Sequence, residues 1–267
     1  MSAPIAVCVE GVGVWAAGLP GWPAAQAALC AHERVWQADA VTRPAPSLLP
    51  PTERRRAPES VLLAIEVAQQ ACAMAGRDPR ELPHVFASAY GDLAISDYLC
   101  ATLVRSPLEM SPTKFHNSVH NAPAGYWTIA TGCRENSTAV SAGVATFGAA
   151  LLEAALLAAT DSSAVLLVVY DIAAVGLLTD LIDCNSAFAA ALVLAPPSAS
   201  TGALGTLHLC TVESSPLAPD ASLLHPTFRS NPAAQCLPLL RALAQRQHTT
   251  IPVAAGPDLQ LAVETLF

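Results

Sequence analysis

The most constraining feature of this sequence is a predicted strand that runs, through a single glycine, into a long apolar helix. Residues 137–142 are expected to form the strand, Gly143 breaks it, and an Ala- and Leu-rich helix follows to about residue 159. Several α/β enzymes use a strand, a tight turn and a buried helix in this order to present a nucleophile at the helix N-terminus. The pattern therefore predicts an α/β fold with a candidate site at the turn.

The stretch before this strand is polar and then briefly apolar. Residues 111–121 read S-P-T-K-F-H-N-S-V-H-N, a loop rich in histidine and asparagine. A short helix is expected at 124–130, and the tight turn G-C-R-E-N at 132–136 leads into the strand. Polar side chains are thus concentrated just before the candidate site.

Strands and helices alternate along most of the chain, which predicts a layered α/β fold with a mostly central sheet. Residues 164–170, A-V-L-L-V-V-Y, form a continuous apolar run that suits a strand buried on both faces. A Pro- and Arg-rich connection is expected at 38–57 and a loop at 214–231. The other predicted strands are 4–14, 82–89, 187–195, 203–213 and 257–267, and the other predicted helices are 23–31, 58–76, 93–104 and 232–246.

The chain is apolar and carries little charge. Hydrophobic residues make up 53% of its 267 residues and charged residues 13%, so it must bury much surface internally or against a partner. Its net charge is −8 and Lys114 is its single lysine, which argues against nucleic-acid binding. The eight cysteines form no C-x-x-C pair, so reduced thiols in a cytoplasmic protein are expected, with no disulfide framework, zinc site or cofactor.

Two long apolar stretches raise the question of a membrane span. They cover 139–159 and 164–178, and a carboxylate interrupts each of them, Glu153 in the first and Asp171 in the second. Neither stretch gives a clean run of about 20 apolar residues, so both are expected to be core elements. The N-terminus lacks a basic region followed by an apolar one, so no signal peptide is predicted.

Three short motifs follow one another at fixed spacing before the strand: S-P at 111–112, N-A-P-A-G at 121–125 and G-C-R at 132–134. The opening stretch V-E-G-V-G-V-W-A-A-G-L-P, at 9–20, covers the end of the predicted strand 4–14, with its glycines, and the loop that follows. In order and spacing these motifs resemble a β-ketoacyl synthase of the thiolase-like superfamily over roughly residues 4–195. The resemblance implies a thiolase-like layered α/β/α fold with a complete first half and a reduced second half.

The departures from that family concern its catalytic residues. Aligned without gaps, the nucleophilic cysteine falls on Val144, and a four-residue gap moves it to Val140. Neither side chain can attack a thioester. The family's two catalytic histidines also lack counterparts, because His208, His225 and His248 lie in none of the matching contexts. The resemblance therefore implies a chain without a catalytic residue of its own.

A ketosynthase-like chain without the nucleophile is similar to a chain length factor, the subunit that pairs with an active ketosynthase and closes the far end of its acyl tunnel. The stretch F-H-N-S-V-H-N-A-P-A-G-Y-W looks most like the partner subunit of aryl polyene, or xanthomonadin-type, pigment synthesis. The resemblance implies a catalytic ketosynthase as partner, in a heterodimer or a higher pseudo-symmetric assembly, with an acyl carrier protein as a further partner.

The resemblance also assigns positions to these roles. It implies a ketosynthase-like N-terminal domain at 1–195 and a shortened C-terminal portion at 196–267, packed on the same core. The candidates for the end of the partner's tunnel are Ile95, Leu99, Met110, Phe115 and His116. The candidates for the partner interface are His120, Asn121, Ser137, Thr138 and Ser141.

Other interpretations of the same residues stay open. Cys133 as a relocated nucleophile, with a histidine, would make a divergent acyl-thioester-processing enzyme. Ser141 lies in A-V-S-A-G, which lacks the leading glycine of the hydrolase motif G-x-S-x-G. His116 and His120 would need further ligands to hold a metal, and a hydrogen-bonded polar loop is the simpler interpretation. The basic run at 54–56 suits either an acyl-carrier face or a solvated loop, and a homodimeric scaffold is the remaining alternative.

Overall fold

The computed structural model describes residues 4–31, 43–200, 202–213 and 226–267. In these residues a single eight-stranded mixed sheet, in the order β3-β2-β4-β5-β1-β6-β8-β7, has helices on both faces. The strands are β1 Ile5–Ala16, β2 His84–Ala87, β3 Ser137–Val140, β4 Val165–Asp171, β5 Phe188–Ala195, β6 Gly205–Glu213, β7 Thr249–Ala254 and β8 Leu259–Leu266. The helices are α1 Trp22–Cys30, α2 Pro51–Arg56, α3 Glu59–Ala75, α4 Leu93–Arg105, α5 Pro112–His116, α6 Ala122–Thr131, α7 Thr146–Asp161 and α8 Leu237–Gln245.

The strands at one end of the sheet are parallel, and the remaining pairs are antiparallel. β2 lies between β3 and β4 and pairs in parallel with both. β5 and β1 follow in antiparallel pairs, and β6, β8 and β7 extend the sheet beyond β1. Because neighbouring parallel strands end at the same edge, the segments that follow β2, β3 and β4 come together there.

Two cores form, one on each face of the sheet, because successive side chains of a strand point to opposite faces. In β4, Val165 and Leu167 face the layer of α1, α7 and α8, whereas Leu166 and Val168 face the layer of α3 and α6. Every residue of β4 and β5 is buried. Burial on both faces explains why β4 is a continuous apolar run rather than an alternating one.

Helix α3 crosses β1 so closely that two positions of the strand require glycine. A Cβ on Gly13 would overlap the carbonyl oxygen of Val67, and one on Gly11 would overlap that of Ala71. Beyond the end of α3, Arg77 forms a bidentate ion pair with Glu10 of β1, with both N–O distances at 2.8 Å. The first strand is thereby fixed against the longest helix of the fold.

Helix α7 is a core element, as the interrupted apolar stretch 139–159 predicted. By length and composition, the segment Gly143–Asp161 is the one candidate membrane span among the described residues, and half of its most apolar window is buried in this fold. Gly148 allows α7 to approach β7, because a Cβ there would overlap the carbonyl oxygen of Ala254.

The structure confirms the predicted layered α/β/α fold and most predicted elements, with four corrections. The predicted loop 111–121 contains helix α5, which begins at Pro112, where a fixed φ angle suits the first turn, and is capped by the Ser111 hydroxyl. β3 ends at Val140 rather than at 142, because the chain turns away from β2 at that point. The expected connection 38–57 contains helix α2, although its first residues lie outside the described ranges. Strand β7 was not predicted, and it contains a proline, Pro252. The proline is tolerated because β7 pairs with β8 on one side only, so its outward backbone groups form no hydrogen bonds with another strand. Most of the predicted loop 214–231 lies outside the described residues.

Candidate functional site

The candidate site lies at the edge of the sheet where the three parallel strands end. β2 is followed by the turn 88–91, β3 by the turn 141–145, and β4 ends at Asp171. The strands are neighbours in the sheet, so these segments are adjacent in space although they are far apart in sequence. This edge is where ligand sites of open α/β sheets gather.

The turn between β3 and α7 is held by one buried hydroxyl group. Gly143 has a φ angle of 56°, in the left-handed region that favours glycine. Thr146 Oγ1 accepts a hydrogen bond from the amide of Ala142 at 3.0 Å and donates one to the carbonyl of Gly143 at 2.6 Å. The predicted strand, glycine turn and helix are therefore present, and Thr146 locks the turn between them.

The two positions predicted from the resemblance to correspond to the family's nucleophile, Val140 and Val144, both have inert side chains. Val140 closes β3, is half-buried and packs against the core. Val144 lies in the 3-10 turn Gly143–Ala145 and is 64% exposed. Valine has no lone pair or ionisable group with which to attack a thioester. At both positions the turn therefore presents an apolar side chain.

The most connected polar group at this edge is the buried carboxylate of Asp171. Its Oδ1 accepts hydrogen bonds from the Ser88 hydroxyl at 2.7 Å, the Ala89 amide at 3.0 Å and the Tyr90 amide at 3.2 Å. Burial raises the pKa of Asp171 to about 6, although these hydrogen bonds act in the opposite direction.

The turn that this carboxylate holds also supports two of the predicted interface residues. The carbonyl oxygen of Ser88 lies 2.9 Å from Nε2 of His120, and the carbonyl of Ala89 accepts a 3.2 Å hydrogen bond from the Ser141 hydroxyl. The hydroxyl of Tyr170 donates to the carbonyl of His120 at 3.4 Å. Strand β4, the turn after β2, the turn after β3 and the polar loop are thus joined in one hydrogen-bonded network.

Sequence analysis missed the residues that hold this site together. Asp171 followed the apolar run 164–170, and its position at the carboxyl end of a predicted strand was the available signal. Asn231 is fully buried and bonds to the Asp171 carbonyl at 3.1 Å and the Ser186 carbonyl at 2.7 Å. Nothing in the local sequence marks Asn231, because its partners are 60 and 45 residues away.

The two histidines of the polar loop have different surroundings. His116 ends α5 and is exposed, whereas His120 is half-buried and bonded to the turn after β2. In the described ranges, no group of three or more histidine, cysteine, aspartate and glutamate side chains is placed to hold a metal ion. The hydrogen-bonded interpretation therefore fits His120.

Cys133 lies at the opposite end of the parallel strands. It is 6% exposed, its Sγ lies 3.5 Å from the carbonyl oxygen of Leu82, and its second neighbour is His84, at the start of β2. A strand advances about 3.3 Å per residue, so the start of β2 is about 10 Å from its end at Ala87. Cys133 is therefore remote from the turn where the family's nucleophile would stand.

The five candidates for the tunnel end differ in burial. Ile95 is buried in α4, Leu99 and Met110 are half-buried, and Phe115 and His116 are exposed. The structure brings α4 and α5 together, because the ring of Tyr98 lies 3.8 Å from the ammonium group of the single lysine. These positions remain predictions for the end of a partner's tunnel.

Three of the interface candidates, Ser137, Thr138 and Ser141, lie on or directly after β3, which forms one edge of the sheet in the described part of the chain, and the other two directly precede α6. Ser137, Ser141 and Asn121 are exposed, whereas Thr138 and His120 are half-buried. An unpaired strand edge of this kind must be covered or it invites association. The position of these five residues is compatible with a partner surface, and their role stays a prediction.

Large apolar side chains are exposed on the segments that follow the three parallel strands. Val104, at the end of α4, is 87% exposed, and Leu108, in the next 3-10 turn, is fully exposed. The segment after β4 lies beside α4, because the Leu177 amide donates to Asp97 Oδ1 at 3.2 Å. Other members of this exposed apolar set are Leu103, Phe115, Val119, Val144, Leu177 and Leu181. Single exposed leucines are ordinary, and the exposed apolar set is therefore a candidate for contact with another protein only as a group.

A groove of about 630 Å³ lies between the segment 48–53 and helices α5 and α6. Its lining is mostly apolar and includes His116, Val119 and Tyr126. The predicted basic run lies beside it in α2: the Arg54 guanidinium donates to the Pro46 carbonyl at 3.3 Å, and the two following arginines are exposed. The basic run thus belongs to a short helix rather than to a loop.

Comparison with known families places most of the chain in one of them. The family model described as the N-terminal domain of β-ketoacyl synthases matches residues 26–253. None of the curated protein sequences matches the chain.

Solved structures similar to this fold cover nearly all of the chain. One is a ketosynthase (ApeO) in complex with its chain length factor (ApeC) from Xenorhabdus doucetiae, at 20% identity and a TM-score of 0.72, covering 99% of this chain and 100% of the matched one. The ishigamide ketosynthase/chain length factor matches at 12% identity and a TM-score of 0.74, covering 100% of both chains. AntDE:AntF, an acyl-carrier protein in complex with its ketosynthase bound to the hexaketide, matches at 14% identity and a TM-score of 0.75, covering 100% of this chain and 99% of the matched one. At these identities the likeness establishes the fold.

Proposed function

This chain belongs to the β-ketoacyl synthase family, and from that premise we propose that it is a chain length factor. In this role it is the non-catalytic subunit that pairs with a catalytic ketosynthase in fatty-acid or polyketide-type chain elongation, of the aryl polyene kind. It contributes surface to the pair, and the partner contributes the nucleophile.

The observation that carries this proposal is the composition of the turn after β3. The fold builds the turn with its glycine and its locking threonine, Thr146, but Val140 and Val144 stand where a nucleophile would be needed. A subunit that keeps the architecture of the site but lacks its reactive group can still pair with a catalytic homologue in a pseudo-symmetric dimer. The support for pairing is that the same turn adjoins an unpaired strand edge.

The surface around that edge fits a protein partner. The side chains of the exposed apolar set lie on the segments that follow β2, β3 and β4 in the chain. An obligate interface buries about 2,000 Å² or more in total and is rich in apolar area. Pairing across β3 would cover both the strand edge and the apolar set in a single contact.

Further parts of the proposal concern the carrier, the domains and the location. Two of the similar structures contain a ketosynthase with a chain length factor, and one contains an acyl-carrier protein with its ketosynthase. On that basis an acyl carrier protein is a further partner of the assembled pair. We treat 1–195 as the ketosynthase-like domain and 196–267 as a reduced portion on the same core, in a cytoplasmic protein.

Two alternatives remain, and they differ in what they require. An enzyme that used Cys133 would have to bring an acyl thioester to a buried thiol at the far end of the strands. A homodimeric scaffold needs only that the edge of β3 pair with a second copy of itself. The exposed apolar set suits any protein partner, so it favours the homodimeric scaffold over the enzyme.

Co-purification tests the proposal against both alternatives. The chain is co-expressed with a catalytic ketosynthase from the same organism, and a tag on the chain is used to isolate the assembly. A one-to-one pair that elongates acyl chains, while the chain alone does not, is the expected result. A stable homodimer that does not exchange with the ketosynthase supports the scaffold, and acyl transfer by the chain alone supports the enzyme.

A further inference from the structure

One buried charged group has no role in pairing as described so far. The carboxylate of Asp171 is 0% exposed, and the donors it bonds to are all neutral: the Ser88 hydroxyl and the amides of Ala89 and Tyr90. Burying a carboxylate without a cation is unfavourable unless hydrogen bonds compensate for the lost solvation. A hydrophobic or amide side chain would fill the same space without that cost, so the charge calls for an explanation.

The explanation lies in what the carboxylate holds in place. Asp171 fixes the turn 88–91, and the Ser88 hydroxyl strengthens the turn by accepting from the Gly91 amide at 2.8 Å. The two carbonyls of that turn then fix His120 and Ser141 at 2.9 Å and 3.2 Å. Through the turn 88–91, the single carboxylate of Asp171 connects both the polar loop and the turn after β3 to strand β4.

We propose that Asp171 is a positioning residue for partner binding: its ionised carboxylate holds the turn 88–91 in the form that sets His120 and Ser141 against the partner subunit. The inference rests on the proposed pairing function and adds to it a defined internal support. A charge-assisted hydrogen bond is about twice as strong as a neutral one, so the turn is held most firmly when Asp171 is ionised. Protonation weakens all of its bonds together and loosens both interface side chains.

Other titratable groups around Asp171 have to be separated from it. They are Tyr90, Asp92, His120, Tyr170, Asp183 and Cys184. Burial raises the pKa values of the Tyr90, Tyr170 and Cys184 side chains, so these three remain neutral at neutral pH. His120 contacts the same turn through the Ser88 carbonyl, so it is the remaining group to distinguish from Asp171.

The inference predicts a pH dependence with a definite direction. Pairing is tightest when Asp171 is ionised, so affinity falls as the pH falls through about 6, the value to which burial raises this pKa. By linkage, pairing must lower the pKa of Asp171 in return. Loss of the ionised form should raise the dissociation constant of the pair about tenfold, which is the effect of losing about one charge-assisted hydrogen bond.

The test compares Asp171→Asn with the wild type in the co-expressed pair. Asparagine keeps the shape and one acceptor but cannot ionise, so D171N should pair about tenfold more weakly near neutral pH and show little pH dependence. Glu10→Gln is the matched control, because Glu10 is also a buried carboxylate but lies on β1 against Arg77. The dissociation constant is measured by dilution and mass photometry from pH 5 to 8, and the unfolding midpoint of each variant is recorded.

The outcomes separate this inference from the pairing proposal. If the wild type pairs and D171N pairs equally well, or if D171N keeps the full pH dependence, Asp171 does not position the interface and pairing itself stands. If E10Q weakens pairing as much as D171N does, the effect is general destabilisation and the inference fails. If the wild-type chain forms no pair at any pH, the proposed function itself is wrong.

Discussion

The Sγ atom of Cys133 lies 3.9 Å from Nδ1 of His84, a buried thiol–imidazole contact that brings together two residues 49 positions apart in the sequence. A cysteine beside a histidine is the arrangement of a thiol nucleophile. Here both are buried, burial lowers the pKa of His84, and the pair lies at the amino ends of the parallel strands. The contact is therefore a packing feature, and it directs the first prediction.

We expect an acyl thioester to leave the mass of the chain unchanged, because Cys133 is shielded and neither Val140 nor Val144 offers a nucleophilic atom. Intact-protein mass spectrometry after incubation with an acyl thioester is the measurement. Exposed Cys30 serves as the internal control for general thiol reactivity, and it should react with a simple alkylating agent before Cys133 does. A stable acyl adduct mapped to Cys133 would restore the enzyme interpretation. Val144→Cys alone should not create activity, since the family's histidine contexts are absent.

Ser141→Arg should abolish co-purification with the ketosynthase. The substitution places a charge beside the unpaired edge of β3 and removes the hydrogen bond from Ser141 to the carbonyl of Ala89. Thr250→Arg is the matched control, because Thr250 is also exposed on an edge strand, β7, at the other end of the sheet. Unchanged co-elution of S141R, with the control equally unaffected, would move the interface elsewhere.

Replacing a side chain at the proposed tunnel end with alanine should lengthen the product. The candidates Ile95, Leu99, Met110 and Phe115 are expected to fill space that further two-carbon units would otherwise occupy, and each buried CH₂ favours binding by about 0.8 kcal/mol. The readout is the product-length distribution of the reconstituted pair. Four alanine variants that all give the wild-type distribution would leave the chain with a stabilising role only.

The same four variants should differ in stability. Ile95→Ala removes a buried side chain and should cost about 2–4 kcal/mol of the free energy of unfolding. Phe115 is 61% exposed, so Phe115→Ala should change it much less. F115A is therefore the cleaner test of product length, because a change in its products cannot be attributed to unfolding.

Gly13→Ala should destabilise the fold by about 1–3 kcal/mol or prevent folding, because the new Cβ would overlap the carbonyl oxygen of Val67 across the closest contact of α3 with β1. Gly125→Ala is the control: Gly125 lies in α6 with no atom within 4 Å of a new Cβ. That change should stabilise the helix by about 0.4–1 kcal/mol. Urea unfolding followed by tryptophan fluorescence measures both, and equal effects of the two substitutions would contradict the packing of β1.

The stability of the chain should have a component that falls with rising pH. The folded pKa of Asp171, about 6, lies above its ordinary value of 3.8, so the folded state binds this proton more tightly than the unfolded state does. The stabilising contribution of the proton is present below about pH 4 and is lost as the pH rises through about 6. Urea unfolding of the wild type and D171N over that range isolates the component, which the variant should lack. A component that rises with pH would mean that Asp171 is not buried as described.

The sequence alone was sufficient to predict the elements whose side chains follow a clear local pattern, either periodic or continuously apolar. The run at 164–170 and the strand, glycine and helix from 137 onward indicated both their type and their burial, because burial on one or both faces acts on each residue locally. The spacing of three short motifs was likewise enough to indicate the family that the matched residues 26–253 establish.

Tertiary structure alone decided which polar groups meet. Asp171 and Ser88 are 83 residues apart, and Cys133 and His84 are 49 apart, so no local pattern could pair them. Their contacts depend on the order of strands in the sheet: β2 lies between β3 and β4, so the ends of all three strands meet at one edge. Strand order is set by the packing of whole helices and strands, a global free-energy balance that a single window of sequence does not contain. For that reason the sequence indicated the turn between β3 and α7, and only the fold identified the buried carboxylate of Asp171 at the same edge of the sheet.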